Sequence, residues 1–403
     1  MPTAPAPPRP RTAAVTTTAA ATAAAGARLS YSWNNSPHPL WRALRGLYDG
    51  ASRSNVATVS RVPAGQPSLA YLGLPQGQAN ILQLLEHQRT RAGAGPAQRE
   101  RIPLTPRDLV AGRWPDADLV LVGAQAHQIA GLPDAHCVTA PFRIHLVVDV
   151  PGSPEHLQQQ ISRRERWEFR RNQRAHQWSL EEDSSPAAFE FFYRRMHIPT
   201  MRRRHAERSR TESRAVARHA ILDRGTLMFV TQDNTRVAGV LCHWSTDHRT
   251  LTTRLLGVLD GNELHYREGA FKALYHLLLQ WACRQGVPQV DLFGTEAFVS
   301  KGIFQWKRKF APRVVLPPNH FADKHLRLYV RRDTPATRDF LTANPLITLA
   351  PATGAPALTP TYFTDAQRPP RLDLSAACPG LPPPRLIDLD RFLTGLPAPR
   401  TRP

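Results

Sequence analysis

The sequence predicts an α/β (α+β) protein built on mixed sheets flanked by helices. Three stretches carry that prediction. Short β-branched strands alternate with helices over residues 29–155, closely spaced strands follow Gly225, and a strongly amphipathic helix spans REGAFKALYHLLLQWACRQG. A chain of 403 residues is long enough for two domains plus flexible ends.

The first 28 residues, rich in alanine, threonine and proline, are expected to be a disordered arm. Arginines ahead of a weakly apolar run loosely imitate a secretory signal, but alanine and threonine make a poor apolar core for one. From 29 to 155, SNVATVSRV, SLAYLGL, ADLVLVG and RIHLVVDV have strand character. HPLWRALRGLYDG reads as a helix stopped at Gly50, and ANILQLLEHQRTRAG as one stopped at Gly93. No glycine-rich phosphate loop follows any of these strands, which suits a wall or scaffold.

Residues 156–224 form a basic helical segment. At 100° per residue, Arg163, Arg166, Arg170 and Arg174 fall in one stripe, with Arg164 and Arg171 beside it. Two readings stand: a solvated face partly balanced by Glu165 and Glu168, or a surface for phosphates with Trp167 and Trp178 as stacking platforms. PAAFEFFYRRMHIP follows, and Pro199 should interrupt or kink that helix. Tyr193, His197 and Arg204 are candidate cleft residues around the break, although a lone histidine is more often structural.

Residues 225–320 are expected to be the core. GTLMFVT, VAGVLCHWST and LTTRLLGVLD should make a β-meander, turning first at Asp233 and Asn234. In the long helix Phe271, Leu274, Tyr275, Leu278 and Ala282 recur at three and four, and Gly286 supplies the stop. PQVDLFG is a short buried strand with Asp291 near its end, and PRVVLP is another strand. Residues 321–403 read as a proline-rich, partly disordered extension, in which PPPRLIDLDRFLTGLP docks a small helix.

Composition restricts the function classes. A net charge of +20 favours a polyanionic partner or reflects an arginine-rich composition, and it says little about fold. The four cysteines lack the spacing of a zinc or redox motif, and no histidine–cysteine cluster suggests a metal. No stretch approaches the ~18 apolar residues of a membrane span, so no integral membrane association is expected and the location read is cytoplasmic.

The order of meander, long helix, D-L-F-G strand and G-I-F-Q-W-K-R-K-F resembles the later domain of the FemAB-like branch of the N-acetyltransferase (GNAT) fold, over roughly residues 160–315. The resemblance implies acyl transfer to an amine, and two tandem GNAT-like domains with residues 29–155 as a degenerate first copy. It also implies that Trp306 and Lys307 match an aromatic–lysine pair beside the acyl centre, where the lysine counters developing negative charge. The alternative for Lys307 is a structural pair with Asp291 or Glu296. Asp291 is either a proton acceptor for the amine or a cap on the next segment. Tyr266, Arg267 and Tyr275 are further cleft candidates, while Arg308 and Lys309 are placed to face phosphate.

At LDGNELHYREGAFKAL the glycine pattern of a coenzyme A site is only faintly echoed, and Glu268 would oppose phosphate. The resulting expectation is an aminoacyl-tRNA-dependent transferase with no tightly bound cofactor, working by direct transfer to an amine of a small molecule, peptide or cell-wall precursor. The alternatives are an acyl-CoA-dependent N-acyltransferase and a non-catalytic nucleic-acid-binding protein. Nothing in the sequence sets the oligomeric state.

Overall fold

The computed structural model describes residues 12–52, 54–62, 65–91, 97–205, 211–350 and 357–396. It is a mixed α/β protein with sheets flanked by helices, divided into two compact units. One unit comprises residues 1–35, 152–154 and 166–290; the other comprises 36–151, 155–165 and 291–403.

In the first unit, strands Ser179–Glu182, Gly225–Gln232, Thr235–Trp244 and Thr250–Val258 are successive antiparallel neighbours. Asp233 and Asn234, at φ 47° and 61°, form a two-residue hairpin whose left-handed backbone matches strand twist. The meander expected from residue 225 is therefore present. The long helix, Ala270–Arg284, buries Leu274, Tyr275, Leu278 and Ala282 of the stripe its periodicity indicated, while Phe271 in the first turn is half-buried.

Pro199 does shape its helix. The backbone widens to a π-helix over Phe192–His197, with Ile198 N–H donating to the carbonyl of Tyr193, before an α-helix runs Ile198–His205. A proline cannot donate to the preceding turn, and the extra residue absorbs the mismatch. Phe192 and Met196 from this segment pack with Phe189, Ile221, Leu227, Phe229 and Leu241 in the unit's core. Phe229 is fully buried there, so Phe229→Ala should cost about 3–5 kcal/mol of stability, read as a lowered urea midpoint with unchanged slope.

The expected arm is helical from Thr12 to Asn35, and its Ala27 reaches the same core. Alanine has the highest helix propensity, which outweighed the low complexity of the segment. Residues 1–11 lie outside the described residues.

The second unit is organised by a six-stranded sheet in the order Gln98–Pro103, Ser54–Arg61, Leu69–Gly73, Leu119–Gln125, Lys324–Val330, Cys137–Pro141. Strand Lys324–Val330 lies between two strands nearly 200 residues earlier in the chain. Helices Pro39–Ala51 and Gln83–Arg91 also belong here, while Gly93 lies outside the described residues. Strand Arg313–Val315 pairs antiparallel with His145–Asp149. A separate three-stranded sheet joins Leu346–Ala350, Ala357–Thr364 and Arg385–Asp388, the last pair parallel, and the helix Leu389–Phe392 follows.

Candidate functional site

In the second unit the helix Gly302–Lys307 and the 3-10 turn Arg308–Phe310 bury Phe304, Lys307 and Phe310, three residues apart along one face. Lys307 thus points inward. Its ammonium donates to the carbonyl oxygens of Leu292 and Phe293, the latter at 3.3 Å. Burial pushes Lys307 from its ordinary value of 10.5 down to about 8, with Asp291 opposing the shift and Arg143 adding to it. Glu296 is paired with Lys301 instead. Trp306 is half-buried, its ring meeting Phe310 edge-on at 5.8 Å.

The lowered value has a consequence for stability. Between about pH 8 and 10.5 the unfolded chain keeps a proton on Lys307 that the folded chain releases, so this group makes stability rise with pH across that window. Lys307→Met should abolish that contribution, seen as a smaller increase in urea midpoint between pH 8 and pH 10.

The turn held by Lys307 places a histidine–aspartate pair that the sequence did not reveal. Asp291 Oδ1 accepts the Phe293 N–H at 2.8 Å, and Asp291 Oδ2 accepts Nδ1–H of His145 at 2.6 Å. Asp291 therefore caps the following turn and orients an imidazole at once. Both side chains are 5% exposed. Phe293 sits at φ 68°, an unusual conformation for a bulky residue, which the carbonyl contacts of Lys307 help to hold.

With Nδ1 committed to Asp291, Nε2 of His145 is left as the lone-pair nitrogen, and it makes no hydrogen bond among the described residues. A Cβ at Gly294 would stand 2.9 Å from Nε2, so glycine keeps that edge clear. Arg143 lies over the rings of Phe293 and Phe321 and donates to the carbonyl of Gly294 at 3.3 Å. The arrangement is an oriented imidazole in the neighbourhood of two cations, Arg143 and Lys307.

The other cleft candidates lie in the first unit. Tyr193 donates its hydroxyl proton to Glu212 O, and its ring is 5.9 Å from that of His197. His197 is 2% exposed, donates Nδ1–H to Leu256 O, and has its Nε2 buried without a partner among the described residues. Burial holds its pKa below the ordinary histidine value. The Arg204 guanidinium is 3.5 Å from the Tyr266 ring centroid, and Tyr266, Phe271 and Tyr275 form a chain of ring contacts. Tyr275 is core, 2% exposed, with its pKa raised by burial. Arg267 is exposed.

The arginine helix runs Arg163–His176. Its inward residues recur at three and four: Glu165 pairs with Lys309 at 2.9 Å, Glu168 with Lys272 at 2.6 Å, Phe169 stacks on His276, and Asn172 donates to Glu268 O. Both glutamates that might have balanced the stripe are thus consumed by lysines from other segments. Arg163, Arg170, Arg171 and Arg174 are exposed and Arg166 half-buried, and none pairs with a carboxylate among the described residues. Trp167 is 61% exposed, with Arg171 over its ring. Trp178 is buried and donates Nε1–H to Gln232, so it offers no stacking platform. Lys309 is occupied by Glu165, and Arg308 donates Nε–H to Gln305.

At the start of the long helix, Gly269 takes φ 97°, and the Asn172 side chain fills the space where its Cβ would point. The Glu168 carboxylate sits on Lys272 in the first turn. A carboxylate and a side chain thus stand at the helix start where a pyrophosphate would need bare amides.

No family model and no curated protein matches this sequence. Among solved structures it aligns with L-PGS from Bacillus licheniformis at 13% identity, over 76% of this chain and 96% of that one, with a TM-score of 0.32. FemX aligns at 10% identity over 68% and 83%, TM-score 0.35. A GCN5-related N-acetyltransferase from Anabaena variabilis aligns at 10% identity over 72% and 61%, TM-score 0.24. These likenesses concern backbone shape alone.

Proposed function

We propose that this chain is an aminoacyl-tRNA-dependent aminoacyltransferase that forms an amide by direct transfer to an amine. The observation that carries the reading is the arginine helix: its outward arginines pair with no carboxylate among the described residues, while both of its glutamates are neutralised by Lys309 and Lys272. A row of exposed guanidinium groups beside an exposed tryptophan suits a phosphate backbone with an unstacked base.

The chemistry falls to the His145–Asp291 pair. The amine nitrogen attacks the ester carbonyl carbon, Nε2 of His145 takes the proton it sheds, and the bond to the ribose oxygen breaks. The proton then passes to that oxygen, restoring the imidazole. Asp291 holds the tautomer that leaves Nε2 basic. Lys307 and Arg143 supply positive potential for the developing oxyanion, and Lys307 also fixes the turn that carries Asp291. Tyr193, His197, Arg204, Tyr266 and Arg267 remain candidates for substrate contact.

An acyl thioester donor is disfavoured by Glu168 and Asn172 at the start of the long helix. The test is to incubate the protein with a tRNA pool carrying radiolabelled amino acids and a mixture of amines. Label should move from a base-labile ester to a base-stable amide. Transfer from acyl-CoA alone would overturn the donor.

A further inference from the structure

We infer that the second unit holds a separate binding site for an amphipathic organic carboxylate, an apolar chain or ring bearing one acidic group, next to the helix Gly302–Lys307. The inference is independent of the transfer chemistry proposed above.

Strands Ala357–Thr364 and Arg385–Asp388 are parallel, so the chain must cross back between them. The crossing segment stands away from the sheet and walls a half-open pocket of about 580 Å³ against Pro360 and Tyr362. That is a usual size for a small-molecule pocket. Its wall is carbon-rich, with Ala376, Cys378 and Leu381 joined by Pro379 and residues 382–384, all proline. Prolines fix φ and carry no N–H needing a partner, so the wall stays open without collapsing onto the sheet. The Tyr362 ring is anchored by its hydroxyl, which donates to Leu374 O at 2.7 Å, and forms a fixed floor.

One cation is held beside this apolar space. Gln305 donates from Nε2 to the carbonyls of Val299 and of Ser375, a wall residue, and its Oε1 accepts Nε–H of Arg308 at 2.9 Å. Arg308 is therefore fixed one side chain from the wall, near enough to Tyr362 and Cys378 to favour their anionic forms against burial. Arg308 has no carboxylate partner among the described residues, whereas nearby Arg371 is neutralised by Asp373, and Arg368 by Asp339 and Asp365. An apolar wall beside a guanidinium that no carboxylate among the described residues cancels favours an apolar body with a negative head. A neutral lipid would leave that guanidinium without a counterion.

The full-length protein is titrated by calorimetry with decanoate and with decanol. Decanoate should bind at least tenfold more tightly. Arg308→Gln should erase that preference, and Leu381→Trp, which fills the cavity, should abolish binding of both. Ser375→Trp serves in its place if that variant fails to fold by circular dichroism. Equal affinity for the two probes, no binding of either, or decanoate binding unchanged in the filled variant overturns the inference. The last result would place the bound anion on the generally basic surface.

Discussion

Replacing His145 by glutamine is expected to slow amide formation by about 10²- to 10⁴-fold, the range a positioned general base supplies. Asp291→Asn should approach the same loss by a different route. Its amide oxygen would take the Phe293 N–H, which now goes to Oδ1, leaving the amide NH₂ facing Nδ1 of His145. That donor forces the proton onto Nε2 and removes the base without removing the ring. Gly294→Ala tests the same point with both partners intact, because its methyl would stand 2.9 Å from Nε2. All three are measured as rates of label transfer from charged tRNA, with circular dichroism melts as controls. Full activity in all three would remove the pair from the mechanism, and a loss of rate that tracks only loss of folded protein would make it structural.

The second large effect belongs to the arginine helix. Arg170 and Arg174 are exposed and engage no carboxylate among the described residues, so changing both to glutamine should leave the melting temperature within a few degrees of the parent. Binding of tRNA should weaken, and the plot of log affinity against log salt should lose about 1.5 to 2 units of slope, one for each phosphate contact removed. Trp167→Ala should weaken binding with little change of slope, because stacking displaces no counterions. An unchanged slope in the double arginine variant would mean that these side chains face only solvent.

Much of the scaffold was legible because local rules governed it. The periodicity of Phe271, Leu274, Tyr275 and Leu278 marked the long helix, the last three of them on its buried face, and Asp233–Asn234 marked the hairpin. The stripe of arginines was legible too, but the fate of Glu165 and Glu168 was not, since Lys309 and Lys272 lie more than 100 residues away in sequence. The same distance hid the chemistry. His145 reads as one polar residue in the strand RIHLVVDV, and only folding brings it to Asp291, 146 residues later. A signal for the inward turn of Lys307 was present: it stands midway between Phe304 and Phe310 at intervals of three, a spacing that places all three on one face. Strand Lys324–Val330 was hidden in the presumed extension because its neighbours in the sheet, Leu119–Gln125 and Cys137–Pro141, are remote in the chain.

The most direct test of a tRNA-borne donor is equilibrium binding of an acylated tRNA pool across a salt series, with an acyl-CoA thioester as competitor. A tRNA-borne donor requires binding at physiological salt, a steep loss of affinity as salt rises, and no displacement by the thioester. Displacement by the thioester, with tRNA retained only at low salt, would contradict it.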